Sequence, residues 1–285
     1  MRPGPFRYFK PDTLEQALEA VHNGAIPLAG GQSLIQAMRL RSAEPEAIVD
    51  LNSVADLSNK IECSTDFITI GALTTHREVT EHPVINDEFP WLAKAARELG
   101  DVQVRNRGTV LGNVCWADPR ANMAVALLAS DAAINVAAFA TNGKLEQISI
   151  VDFFTGYRST TLDSRLALSL ELTRSPNTVG SYIEFSRQPQ DLAICNVCVV
   201  HRDSGTAVAV GGIDQQPVRL SQLEPILRDQ GLSNKLLRSR IEQTISEARL
   251  DPIEDQYGTP AFKQHLAATL IERAIEKCID GGDHA

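Results

Sequence analysis

Two glycine-containing loops, each placed ahead of a helical pattern, constrain this chain more than any other feature. The first is Leu28-Ala29-Gly30-Gly31-Gln32-Ser33-Leu34, which follows a short apolar run. The second is residues 105–113, with the sequence RNRGTVLGN. Glycine lets backbone N–H groups approach phosphate oxygens closely, and a following helix N-terminus adds further donors. Two such loops predict a site for the pyrophosphate of a dinucleotide.

Composition and charge exclude several classes of protein. The chain has 285 residues, of which 43% are hydrophobic and 22% are charged, as in an ordinary globular protein. The formal net charge is −9 and no block of lysine and arginine occurs, so no nucleic-acid partner is expected. Residues 1–8 lack the apolar core of a secretory signal, and no run of about eighteen apolar residues occurs. We therefore expect a cytoplasmic protein without a transmembrane segment.

The cysteines form no disulfide or metal-ligand pattern. Their number, five, is odd and they are scattered along the chain, which favours reduced thiols. Cys195 and Cys198 have C-x-x-C spacing, but they lie in an apolar run, 193–200, that predicts a buried strand. Residues three apart in a strand face opposite sides. We therefore expect two separate core side chains here and no metal in this chain.

The first 175 residues predict a domain of two lobes, 1–57 and 58–175. In the first lobe we expect a helix capped by Asp12 and short strands at 6–8, 26–28 and 47–51. In the second lobe we expect strands at 67–73 and 132–138, helices at 91–99 and 123–128, and a hairpin turn at Asn142-Gly143. Both glycine loops fall in this domain, one in each lobe.

The segment 175–180 has the composition of a linker to a C-terminal domain, 176–285. In that domain we expect strands at 182–185, 193–200 and 207–211, followed by helices after Ser221, Ser233 and Thr259. Strands followed by helices indicate a smaller α+β unit.

No catalytic motif is present in the sequence. It has no Ser-His-Asp order, no pair of carboxylates with catalytic spacing and no H-E-x-x-H motif. We predict no catalytic residue in this chain and expect a bound cofactor to supply its chemistry.

Several motifs in a fixed order resemble the FAD-binding medium subunit of the molybdenum hydroxylase family, which includes carbon monoxide dehydrogenase and xanthine dehydrogenase. They are the two glycine loops, the strand and turn 67–76 that ends in Thr74-Thr75-His76, and Ala117-Asp118-Pro119 with Asn122. The resemblance covers almost the whole chain. It implies a two-lobed FAD-binding domain of the molybdopterin dehydrogenase (PCMH) type, followed by the smaller C-terminal domain.

The resemblance also implies FAD as the cofactor and a set of residues that bind it. These are Leu28, Ala29, Gly30, Gly31, Gln32, Ser33, Leu34, Leu99, Thr109, Val110, Leu111, Gly112, Asn113 and Asn122. Two partners are implied, a molybdopterin-binding large subunit and a [2Fe–2S] small subunit. The FAD would pass electrons from the iron–sulfur subunit to an acceptor such as NAD, oxygen or a quinone.

The chain departs from the family pattern at four positions. Leu111 stands where a glycine is usual, so we expect restricted backbone dihedrals and weaker FAD binding. Asn122 replaces an aspartate that contacts the ribose, and its amide still accepts one hydrogen bond. Trp116 stands where histidine is common and Glu184 where lysine is common, which changes the flavin surroundings or the docking of partners.

Some alternatives stay open at this point. The chain is also compatible with a self-contained FAD-dependent oxidase or reductase on the same fold, or with a flavin-free assembly subunit. Ser33 is suited to cap the following helix as well as to bind phosphate. Arg105 and Arg107 either fix the loop through carbonyl groups or contact the phosphates. His76 is assigned no catalytic role.

Overall fold

The computed structural model describes residues 2–230 and 237–283. Within these ranges the chain forms three β-sheets and a separate two-stranded hairpin. The helices pack on the sheets and between them.

The first sheet is parallel and belongs to the N-terminal lobe. Its strands lie in the order β1-β3-β2, and two helices connect them. The elements are β1 (Arg7–Phe9), α1 (Leu14–His22), β2 (Ile26–Leu28), α2 (Leu34–Arg39) and β3 (Ala47–Asp50). Parallel neighbours cannot be joined by a tight turn, so α1 and α2 serve as the crossovers. The strands predicted at 6–8, 26–28 and 47–51 are confirmed to within one residue at each end.

Helix α1 begins one residue later than predicted. Thr13 is its N-cap, and the Thr13 side chain accepts a hydrogen bond from the N–H of Gln16 at 3.4 Å. The prediction that Asp12 caps this helix is therefore wrong. The N–H of Asp12 instead donates to the side-chain oxygen of Gln16 at 3.1 Å, so the chain turns into the helix only at Thr13.

The second sheet is antiparallel, with the order β4-β5-β10-β6-β7. Its strands are β4 (Ile61–Cys63), β5 (Phe67–Gly71), β6 (Ala133–Ala138), β7 (Glu146–Ser149) and β10 (Arg165–Thr173). The helices of this lobe are α3 (His76–Glu81), α4 (Pro83–Glu88), α5 (Pro90–Glu98), α6 (Val102–Arg107), α7 (Val110–Trp116) and α8 (Asn122–Ala129). Strands β8 (Phe154–Gly156) and β9 (Ser159–Thr160) form the separate hairpin. The predicted turn at Asn142-Gly143 is confirmed, because both residues have positive φ and lie between the paired strands β6 and β7.

The third sheet is antiparallel and lies in the C-terminal part of the chain. Its strands are consecutive: β11 (Val179–Phe185), β12 (Cys195–Arg202), β13 (Gly205–Gly211) and β14 (Val218–Arg219). Three helices follow them: α9 (Leu223–Gln230), α10 (Leu237–Glu247) and α11 (Pro260–Ile279). Ser233, after which a helix was predicted, lies outside the described residues, and Thr259 caps α11 as expected.

Helix α8 joins the second lobe to the C-terminal sheet. All of its residues are buried, and it packs against α5 on one side and against β12 and β13 on another. A helix that is apolar all round can only lie inside a core. As a result, the main hydrophobic core runs from the N-terminal lobe through α8 to Tyr182 and Cys198 of the third sheet.

Cys195 and Cys198 lie on opposite faces of β12, as predicted. Both thiols are fully buried, but Cys195 packs in the core beneath helices α9–α11 and Cys198 in the main core. Burial raises the pKa of the Cys195 thiol to about 12, so it stays protonated. The two cysteines therefore pack in separate cores on opposite faces of the sheet, and their thiols do not form a dithiol pair.

No helix within residues 2–230 and 237–283 is long and apolar enough to cross a bilayer. No group of three or more histidine, cysteine, aspartate or glutamate side chains there is placed to hold a metal ion. The cytoplasmic location stays a prediction.

Candidate cofactor site

A cavity of about 550 Å³ lies between the two lobes. Its walls come from the first glycine loop, from α7, and from the hairpin and start of β10. The structure brings nearly all of the predicted residues to this one cavity, and only Val110 and Asn122 are missing from its walls. This volume is within the range of pockets that bind cofactors and drug-sized molecules.

The first glycine loop presents free backbone donors to the cavity. It connects β2 to α2, and Gly31 has φ +73°, a conformation that favours glycine. The N–H groups of residues 31–34 have no acceptor among the described residues. Ser33 is the N-cap of α2 but its side chain forms no capping hydrogen bond, so the alternative that Ser33 simply caps the helix is wrong. A row of unpaired donors in a concave loop suits a phosphate.

The two glycine loops touch each other at Gly30. A β-carbon placed on Gly30 would lie only 2.1 Å from the carbonyl oxygen of Arg107 and 2.8 Å from the Cα of Gly108. Any side chain at residue 30 would therefore force the loops apart. This contact joins the two predicted motifs into one site.

The second motif is not the single loop that the sequence suggested. Residues 102–107 form α6, residues 110–116 form α7, and only Gly108 and Thr109 lie between them. Thr109 caps α7, because its side chain accepts a hydrogen bond from the N–H of Gly112 at 3.1 Å. Glycine at residue 112 permits this, since a β-carbon there would lie 2.5 Å from the Thr109 hydroxyl oxygen.

Most backbone donors of the second motif are already used within the protein. The N–H of Val110 donates to Thr74, and the N–H of Asn113 donates to the carbonyl of Thr109, both at 3.0 Å. Only the N–H groups of Thr109 and Leu111 lack an acceptor within the described part of the motif. The backbone of residues 109–113 therefore offers only two free donors to a phosphate, the N–H groups of Thr109 and Leu111. The first loop is the better phosphate site.

Leu111 does not restrict the site in the way that we expected. It lies in helix α7, its φ is not positive, and its side chain is 3% exposed in the main core, with one surface on the cavity. Glycine is therefore not needed there for backbone conformation. The prediction of weaker FAD binding through restricted dihedrals at Leu111 has lost its physical basis.

Val110 and Asn122 do not reach the cavity. Val110 is fully buried in the core, because its backbone is fixed to Thr74. The Asn122 amide donates to the Glu184 carboxylate at 2.7 Å and to the carbonyl of Ala95 at 3.3 Å. These bonds tie α8 to β11 and α5, and the predicted contact of Asn122 with a ribose stays a prediction.

Glu184 is the centre of a buried polar cluster. It accepts hydrogen bonds from Asn122 and, at 2.9 Å, from the hydroxyl of Tyr182, whose oxygen also accepts one from Asn196 at 3.1 Å. Burial raises the pKa of the Glu184 carboxyl to about 7, opposed by the hydrogen bonds from Tyr182 and Asn122. Glu184 does not line the cavity, whereas Trp116 does.

Arginines surround the site in structural roles. Arg105 donates hydrogen bonds to the carbonyls of Leu99 and Gly100, at 3.2 and 2.6 Å, which fixes the turn after α5. Of the two roles left open for Arg105, the contact with carbonyls is the one observed, and the Arg107 side chain is exposed. Arg158 lies 5.1 Å above the ring of Trp116 and pairs with Asp118 at 3.0 Å.

Sequence reasoning missed several residues of the cavity wall. Arg158 and Thr160 come from the β8–β9 hairpin, which was not predicted from the sequence. Cys115 lies on the wall inside α7, and burial raises its pKa to about 12. His76 also lines the cavity, although it was assigned no role there. Its position at the end of the T-T-H motif was the available signal.

Comparison with known proteins identifies matches over nearly the whole chain. The family described as "FAD binding domain in molybdopterin dehydrogenase" matches residues 4–171, and "CO dehydrogenase flavoprotein C-terminal domain" matches residues 180–278. The chain is 31% identical to the 6-hydroxypseudooxynicotine dehydrogenase complex subunit alpha of Paenarthrobacter nicotinovorans, covering 98% of this chain and 96% of the relative. It is 29% identical to the carbon monoxide dehydrogenase medium chain of Hydrogenophaga pseudoflava, covering 96% of this chain and 97% of the relative.

A solved structure has the same fold. Carbon monoxide dehydrogenase from Hydrogenophaga pseudoflava matches with a TM-score of 0.87 and 25% identity, covering 97% of this chain and 98% of the matched chain. The predicted α+β fold, a two-lobed FAD-binding domain followed by a smaller C-terminal domain, is confirmed. The residue boundaries given for the domains and lobes stay predictions.

The fit of the cavity to FAD agrees with the family match. The first glycine loop offers unpaired N–H donors for a pyrophosphate, and its glycines leave the space beside the backbone free of side chains. The chain belongs to the FAD-binding medium subunits of the molybdenum hydroxylase family, and it is a flavoprotein oxidoreductase whose cofactor is FAD.

Proposed function

We propose that this chain carries the FAD of a three-component complex with a molybdopterin-binding large subunit and a [2Fe–2S] small subunit. In this role its FAD passes electrons from the iron–sulfur subunit to an external acceptor. The acceptor is NAD, oxygen or a quinone. Oxidation of the substrate takes place on the large subunit, and this chain neither binds nor transforms it.

The proposal is supported by the protonation states of two titratable side chains on the wall of the cofactor cavity. Its walls include His76, whose pKa burial lowers to about 4, and Cys115, whose pKa burial raises to about 12. Neither side chain is suited to exchange protons near neutral pH. These two side chains of the described cavity wall therefore do not serve as acid–base groups, which agrees with a site that holds a redox cofactor.

The protein's own residues bind and orient the cofactor. In the proposed arrangement the N–H groups of residues 31–34 donate to the pyrophosphate, and Gln32 braces the loop through the carbonyl of Gly30 at 3.4 Å. The apolar side chains of Leu99 and Leu111 form part of the cavity wall and exclude water. FAD, when bound, supplies an acceptor and donor of one or two electrons.

The relatives support the partner assignment. One carries the name of a dehydrogenase complex subunit, and several are named as medium chains or medium subunits. A medium chain implies a larger and a smaller companion in those proteins. We extend the same organisation to this chain.

Purification of the tagged full chain from its native source tests the proposal. We expect it to carry one FAD and to bring with it one molybdenum-containing and one iron–sulfur subunit. After reduction of that complex, reoxidation by NAD, oxygen and a soluble quinone, compared side by side, identifies the acceptor. A solitary chain that is reduced by an organic substrate at a catalytic rate would instead be a self-contained flavoenzyme. A chain that stays colourless with added FAD would be a flavin-free assembly subunit.

A further inference from the structure

His76 is a buried polar side chain on the wall of the cofactor cavity. The residue is 2% exposed, and its Nδ1 is buried without a hydrogen-bond partner in the part of the chain that the structure describes. A buried polar group that is left unpaired costs about 1–3 kcal/mol. Such groups in native proteins call for a partner that the chain itself does not provide.

The position of His76 is fixed by its backbone. It is the first residue of α3, whose start is held by a capping box between Thr75 and Glu78. The N–H of His76 donates to the carbonyl of Gly108 at 3.0 Å. The ring therefore stands on a rigid support and does not depend on a flexible loop.

The ring stands beside the point where the two glycine loops meet. A β-carbon on Gly108 would lie 3.1 Å from Cδ2 of the His76 ring, and the Cα of Gly108 in turn lies close against Gly30. His76 thus faces the cavity next to the loop whose N–H groups are unpaired. Asn113, another residue of the cavity wall, also has an unpaired buried atom, Oδ1.

The imidazole is uncharged over the physiological range. Burial lowers its pKa from 6.5 to about 4, and the positive charge of Arg105 acts in the same direction. A neutral imidazole keeps one N–H donor and one acceptor nitrogen. It therefore offers a hydrogen bond to an anionic group without adding a charge.

We propose that His76 contacts the cofactor directly, with its ring N–H donating a hydrogen bond to an oxygen of the FAD pyrophosphate. This proposal rests on the FAD site described above. It gives the phosphate group a side-chain donor from the second lobe beside the backbone donors of the first lobe. The phosphate would then be held from both lobes, because the two sets of donors follow strands of different sheets.

FAD titration of the deflavinated full chain tests the contact. His76→Leu should weaken FAD binding roughly tenfold to a hundredfold, the range for loss of a hydrogen bond to a charged group. His76→Gln keeps an N–H donor and should restore most of the affinity. His82→Leu is the matched control, because the His82 ring also has an unpaired Nδ1 but does not line the cavity. It should bind FAD as the wild type does.

The phosphorus NMR spectrum of bound FAD gives a second readout. His76→Gln should shift a pyrophosphate resonance relative to the wild type, whereas His82→Leu should leave both resonances in place. Wild-type affinity in a folded His76→Leu variant would overturn the proposal, and so would unchanged resonances in His76→Gln, even if the leucine variant does not fold. Failure of the wild-type chain itself to bind FAD would refute the FAD site and not this contact alone.

Discussion

Replacement of Gly31 by valine should remove FAD from the chain while the protein stays folded. Gly31 has φ +73°, and a β-carbon there would lie 2.7 Å from Cδ1 of Ile35. A β-branched residue in that conformation costs about 1–3 kcal/mol, so the loop should move to a negative φ. That rotation turns the N–H groups of residues 31–34 away from the phosphate. Loss of two hydrogen bonds to a charged group, about 1.5–3 kcal/mol each, weakens FAD binding roughly a hundredfold or more.

Gly143→Val provides the matched control. Gly143 has the same φ of +73°, but it lies in the β6–β7 turn and does not line the cavity. The backbone cost of the two substitutions should therefore be similar, and only the Gly31 variant should lose the cofactor. Flavin absorbance of the purified variants and calorimetric titration of the apo-proteins measure the difference. Full flavin content in a folded Gly31→Val variant would refute the assignment of the phosphate to this loop.

Three further predictions follow from the same geometry. Leu111→Gly should lower the free energy of unfolding by about 3–6 kcal/mol without tightening FAD binding, because it removes a buried leucine and places glycine inside a helix. Urea denaturation measures the stability and FAD titration the affinity, and a higher affinity for FAD would contradict the prediction. The folded pKa of His76, about 4, is below its unfolded value of 6.5, so its contribution to stability is complete above pH 6.5 and is lost as the pH falls towards 4. The loss is about 3 kcal/mol, and the apo-protein of His76→Gln should lack that part of the pH dependence. Glu184→Gln should raise the free energy of unfolding above pH 7, since burial raises the pKa of this carboxyl to about 7 and its ionised form is disfavoured; an unchanged or lower value in denaturation at pH 8 would contradict this.

The sequence predicted the parts of the site that depend on local backbone chemistry. The loop at 28–34 needed glycine at residue 31 for its positive φ, and the strand before it and the helix after it were visible as patterns. The opposite faces of Cys195 and Cys198 followed from strand geometry alone. These features depend on neighbours in the chain, so periodicity and residue type were sufficient.

Features that depend on distant neighbours were not predictable in the same way. The second motif divides into two helices because Thr109 caps α7 while the N–H of Val110 donates to the carbonyl of Thr74, which is distant in the sequence. Asn122 turns to Glu184 on the third sheet, which only the packing of α8 determines. Arg158 reaches the cavity from a hairpin of very short strands. In each case tertiary contacts override what the local sequence suggests.

The central claim is that FAD lies between the two lobes with its pyrophosphate on the first glycine loop. An experimental structure of the full chain with bound FAD tests this most directly. We expect the pyrophosphate oxygens within hydrogen-bond distance of the N–H groups of residues 31–34, and one of them within that distance of the His76 ring. A pyrophosphate bound away from this loop, for example against the C-terminal sheet, would contradict the account.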